Sequence, residues 1–167
     1  MSLLEMVSAT SRLEFDEHSH FLTLYASDGH VVGSWDAYNN IDSKVAAKGF
    51  THLENSTYQM QDKSTPKAHK ESGHYGSYGA YGIFRFFVKS HDGIGVHSGK
   101  PIPFRNPGPE HATHGCIRTT DEAMEQLVQW AKKEPILTIT VRNNGPTHAK
   151  GAKAANLQNA VQLRLRP

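Results

Sequence analysis

Helical periodicity occurs in one stretch of this chain only, between residues 119 and 134, and that limits the fold more than any other feature. Met124, Leu127, Val128 and Ala131 fall on one face at helical spacing. Thr119 is placed to cap this helix, with Glu122 three residues later as in a capping box, and Glu134-Pro135 stops it. The other regular patterns are β-forming. Residues 21–25 carry a β-former at every position, and 30–35 read as the returning partner strand. Asp28-Gly29 between them predicts a two-residue turn with positive φ at both positions. Residues 83–88, 94–97 and 136–141 are further strands, the last a central one, and 161–165 a short edge strand. The expectation is a mainly β fold with one principal helix packed on a sheet or rim.

The 167 residues suit one domain with a real core. A net charge of +2 gives no footprint for a nucleic-acid partner. The basic excess lies in the tail, where Lys150, Lys153, Arg164 and Arg166 meet no acidic residue after 143. Residues 1–12 show no basic stretch followed by a long apolar run, so neither a signal peptide nor a membrane span is expected. Residues 51–82 are the least periodic part. Their Gly- and Tyr-rich end places Tyr75, Tyr78 and Tyr81 as candidate flap residues over a cleft. Four prolines between 101 and 109 make a semi-rigid loop.

The single cysteine, Cys116, excludes an intrachain disulfide. It sits in a turn after Gly115, shortly before the helix, where helix amides would stabilise a thiolate. Backbone amides of such a turn can converge as an oxyanion hole, and Gly115 permits the tight turn and the approach of a carbonyl. A thiol needs a base. His97, at the end of an apolar strand, and His114, two residues from the thiol, are the candidates.

His97, fifteen intervening residues, then Thr113-His114-Gly115-Cys116-Ile117-Arg118 resemble the signature of the L,D-transpeptidase catalytic domain, the YkuD family. The hairpin around 22–25 and the helix and strand after Cys116 resemble that family too. In 51–82 the chain departs from it, since Ser64-Thr65-Pro66 lacks the following Gly. The resemblance implies a β-sandwich or sheet with the principal helix after the cysteine turn. It divides the chain into an N-terminal segment 1–20, a catalytic domain 21–142 and a basic segment 143–167. It implies Cys116 as acyl-enzyme nucleophile and His97 as general base, with His114 and Gly115 shaping the oxyanion site. Ser98 is expected beside the base and Thr113 in the motif at the substrate side. Arg118 either holds the turn or meets a substrate carboxylate.

The implied reaction attacks the meso-diaminopimelate–D-Ala bond of a peptidoglycan tetrapeptide stem without a cofactor. An amine acceptor gives a crosslink or an exchanged D-amino acid, and water gives L,D-carboxypeptidase activity. The plan is also similar to that of antibacterial effectors with this domain, such as those of type VI secretion. That reading implies an immunity protein and a secretion-system component as partners, and the periplasm of a target cell as the site of action. Two alternatives stand beside it: a metal site built from His97, His111, His114 and Cys116, and a non-catalytic protein that binds cell-wall peptide.

Overall fold

The computed structural model describes residues 8–41, 43–70, 76–89, 91–99 and 108–145. In chain order the elements are β1 (Ser11–Asp16), β2 (Phe21–Tyr25), β3 (Val31–Tyr38), α1 (Ser43–Ala46), β4 (Thr57–Gln59), β5 (Ile83–Arg85), β6 (Gly95–His97), β7 (Ile117–Thr119), α2 (Asp121–Ala131) and β8 (Ile136–Arg142). The strands form one sheet in the order β4-β8-β1-β2-β3-β7-β6-β5. The β1–β8 and β6–β7 pairs are parallel. Tyr75, most of the proline loop (101–107) and the tail from 146, with its expected edge strand, lie outside the described residues.

The sheet curls until its two edges meet. Beyond β4 and β5, Met60 and Phe86 form an antiparallel bridge. Gln61 N–H donates to Arg85 O at 2.8 Å and Phe87 N–H to Gln59 O at 3.0 Å. The Arg85 guanidinium grips the Asp62 carboxylate with two bonds, of 2.8 and 2.9 Å. Residues 51–82 are therefore irregular but stitched into the fold, with a further bridge between Lys67 and Ile83. Closure of this kind protects strand edges that would otherwise pair with another chain.

Strand β1 overturns the expectation that 1–20 is a segment apart. Leu13 and Phe15 are fully buried, alternating with Arg12 and Glu14, and β1 lies between β8 and β2. Leu22 and Leu24 of β2, Trp35 and Ala37 of β3, and Ile139 and Val141 of β8 complete this part of the core. Ala123, Met124, Leu127 and Ala131 bury the inner face of α2. Each large apolar side chain removed from water contributes about 1.5–3 kcal/mol.

Two local expectations shift. The helix cap is Thr120, whose side chain accepts from Ala123 N–H at 3.1 Å. Thr119 belongs to β7 and donates its hydroxyl to Asp36 O at 2.8 Å. With Ala123 at the third helical position there is no reciprocal capping box. In the β2–β3 turn only Gly29 has positive φ, and Gly29 N–H closes on Ala26 O at 2.9 Å. That is the longer hairpin loop, a turn followed by a left-handed glycine, in place of a two-residue one.

Candidate active site

The parallel β6–β7 pair builds the centre of the site. His97 is in register with Arg118, and Val96 with Ile117. Side chains alternate across a strand, so His97 and Arg118 share a face. Cys116 immediately precedes β7, and its thiol meets the backbone N–H of Gly95 and the charge of Arg118. Val96 and Ile117 point the other way, into the core. The guanidinium of Arg118 acts electrostatically on both His97 and Cys116.

Cys116 is 6% exposed and His97 3%. Burial pushes the thiol up to about 11, although Gly95 N–H and Arg118 pull the other way. The helix dipole that the sequence led us to expect at Cys116 is absent, because the extended strand β7 intervenes and the dipole's influence falls off within the first turn. The Sγ instead lies 3.8 Å from Gly93 O.

Burial, then the Arg118 charge, hold His97 down to about 3. Its Nδ1 lies 2.7 Å from Ser98 O. A carbonyl only accepts, so Nδ1 carries the proton and Nε2 keeps the lone pair of a base. Tyr78 tilts onto the imidazole, ring centres 4.7 Å apart, and stacks on His69 at 4.0 Å. The segment carrying Tyr78 passes so close to the segment after His97 that a Cβ at Gly79 would collide with Ser98 Oγ.

Arg118 is 4% exposed, and its donors go to three carbonyls: His111 O at 3.3 Å, Ser77 O at 3.1 Å and Gly99 O at 3.0 Å. Of its two expected roles, these bonds fit holding the turn. Thr113 is equally internal. Its Oγ1 donates to Cys116 O at 2.7 Å and accepts from Gly115 N–H at 3.2 Å, so it braces the turn where substrate contact was expected. Gly115 has φ +127, and a Cβ there would sit 3.0 Å from Ile94 Cδ1. Ser98 contributes its carbonyl to His97.

Two candidates leave the group. His114 is exposed, and its ring tilts onto Phe50 at 5.2 Å. Phe50, His52, Lys89, His91 and His114 line a hollow of about 350 Å³ that reaches Gly115. Tyr81 turns to the helix, where its hydroxyl meets the Glu125 carboxylate. The metal alternative fails on this geometry: among the described residues no three His, Cys, Asp or Glu side chains gather as a cation site.

Sequence reasoning missed the buried frame behind the turn. Asn39, one residue past β3, is wholly buried, as is Glu17. Two consecutive asparagines at a strand end were the only signal.

The family model for the L,D-transpeptidase catalytic domain, YkuD, matches residues 10–141. No curated protein matches. Among solved structures, the chain is similar to the helical cell shape determining protein Pgp2 from Campylobacter jejuni, with 14% identity, a TM-score of 0.54, and coverage of 81% of this chain and 48% of that one. An L,D-transpeptidase from Mycobacterium tuberculosis H37Rv gives 18% identity, a TM-score of 0.53, and coverage of 81% and 58%. The L,D-transpeptidase from Stackebrandtia nassauensis gives 14%, 0.52, 87% and 62%. These likenesses show the fold, and the chain spans about half to three-fifths of the length of those chains.

Proposed function

We propose, from the premise that this chain belongs to the L,D-transpeptidase catalytic domain family, that it transfers acyl groups from peptidoglycan tetrapeptide stems through Cys116. The observation that carries the reading is that Arg118, in register with His97, acts on both His97 and the Cys116 thiol, with His97 Nδ1 committed to Ser98 O.

In this reading Sγ attacks the carbonyl of meso-diaminopimelate in its bond to terminal D-Ala. His97 Nε2 takes the thiol proton as the S–C bond forms. The backbone amide of Cys116 receives the charge on the carbonyl oxygen. Collapse of the tetrahedral adduct breaks the C–N bond. The imidazolium returns its proton to the departing amine, and D-Ala leaves a thioester on Cys116. An amine acceptor or water then attacks the thioester, with His97 again as base. Both groups are neutral at rest, so the proton moves with the attack and no ion pair waits beforehand.

The test is mass spectrometry of disaccharide-tetrapeptide incubated with wild type and Cys116→Ala. Loss of one D-Ala by the wild type alone marks the carboxypeptidase. A crosslinked dimer, or exchange with an added D-amino acid, marks the transpeptidase. Unchanged substrate in both sinks the reading. The substrate sets the place of action at the wall, in the periplasm of a diderm cell. The antibacterial setting, with its immunity and secretion partners, is tested by directing the chain to a host periplasm: growth should fall with the wild type and not with Cys116→Ala.

A further inference from the structure

We infer that Asn39 is a positioning residue that aims the backbone amide of Cys116 at the reacting carbonyl. Its Nδ2 donates to Gly115 O at 2.8 Å and to Cys116 O at 3.1 Å, so both amide hydrogens go to consecutive carbonyls of the nucleophile turn. Its Oδ1 accepts from Leu53 N–H at 2.9 Å and from Asn144 Nδ2 at 2.8 Å. Its own N–H donates to Glu17 Oε2 at 3.2 Å. Leu53 N–H can only donate and the two carbonyls can only accept, so the amide has one allowed orientation.

The consequence for chemistry follows from peptide geometry. The Gly115–Cys116 peptide is planar, and the C=O and N–H of a trans peptide point in opposite directions. Asn39 draws the Gly115 carbonyl to the buried side, which sends Cys116 N–H to the other side. Cys116 O is held twice, by Asn39 and by Thr113 Oγ1 at 2.7 Å, so the plane after the nucleophile is fixed as well. An oxyanion donor must be aimed before the charge develops, because reorienting it during reaction costs the stabilisation it supplies. Asn39 touches no substrate and acts through the turn. Its frame spans the chain: Glu17 after β1, Leu53 after α1, and Asn144 after β8.

The inference rests on the acyl-transfer reading, but its test does not need the stem peptide. Wild type and Asn39→Asp are compared in two reactions at Cys116. Acetylation by p-nitrophenyl acetate passes through an oxyanion, whereas alkylation by iodoacetamide does not. At pH 8 the introduced carboxylate faces two carbonyls. Acetylation should fall about 100-fold or more, the scale of losing one oxyanion donor, with alkylation within about threefold of wild type. Lowering the pH toward 6 should raise the variant-to-wild-type acetylation ratio, because the introduced carboxyl, buried, protonates and regains a donor.

Equal loss in both reactions with a ratio flat in pH, unchanged acetylation, or a wild type that is never acetylated overturns the inference. If Asn39→Asp does not fold, Asn144→Ala removes one of the two braces on Oδ1. It should then slow acetylation about five- to tenfold, the scale of one net hydrogen bond, and leave alkylation unchanged; equal losses or none overturn the inference. Inertness toward tetrapeptide with this pattern intact would count against the stem-peptide reading alone.

Discussion

The resting state of the thiol gives the sharpest prediction. Burial raises Cys116 from 9.0 to about 11, and His97 is held down to about 3. Two pKa units are a hundredfold in thiolate at any pH well below both values. At pH 8 about one Cys116 in a thousand is ionised, against about one in ten for an ordinary thiol. Iodoacetamide consumes thiolate, and a more basic thiolate is the better nucleophile, so Cys116 should react about ten- to a hundredfold more slowly than a cysteine in an unstructured peptide at that pH. The assay is intact-mass spectrometry of the alkylated chain at a series of pH values from 6 to 10. The logarithm of the rate should climb with unit slope and no inflection near the ordinary histidine value. A plateau beginning near pH 6 or 7 would show a thiolate–imidazolium pair formed before substrate arrives, and the concerted proton transfer described above would then be wrong.

Two further outcomes follow from buried groups and caps. His97 is neutral when folded and protonated when unfolded between about 3 and 6.5, so it removes stability as pH falls through that window. Glu17, raised to about 7 chiefly by burial, is protonated when folded and ionised when unfolded between 4.5 and about 7, so it removes stability as pH rises. The two slopes, each about 1.4 kcal/mol per pH unit, oppose each other between 4.5 and 6.5. His20, also held below its ordinary value by burial, adds to the His97 slope, so urea midpoints should fall gently from 6.5 to 4.5 and more steeply below, and Glu17→Gln should steepen the fall from 6.5; an identical profile for the variant refutes this. Thr120→Ala should lower stability by about 1 kcal/mol through loss of the helix cap, read as a urea midpoint, with the alkylation rate of Cys116 unchanged.

Much of the site was legible because its grammar is local. Gly115-Cys116 before a periodic helix, and His97 at the end of an apolar run, are features of short segments. Their meeting depends on a parallel pairing between residues about twenty apart; the family resemblance implied the two roles, not that pairing. The buried frame was not legible. Asn39 binds Leu53, Asn144 and the 115–116 carbonyls, and no spacing rule connects those positions. Strand β1 was legible and missed, since Leu13 and Phe15 alternate with charged residues as a half-buried strand should. The cap was misplaced by one residue because Thr119 and Thr120 are chemically identical, and only the β7 ladder decides which is extended. His114 was a candidate base because it lies two residues from Cys116, but Gly115 between them has φ +127, so side-chain alternation along an extended chain does not carry across it.

The position of β8 has a consequence for how the chain acquires its shape. The last described strand, it lies between β4 and β1, and its parallel partner begins at residue 11. During synthesis from the N-terminus, β1 and β4 have no common neighbour until residues 136–142 have emerged. The hairpin of β2 and β3 can form early, but Asn144, which braces Asn39, arrives after Cys116 by more than a full helix. Closure of so distant a pairing is slow compared with local structure. The thiol therefore leaves the ribosome well before the scaffold that orients it, and reactivity toward acyl groups should switch on late and all at once.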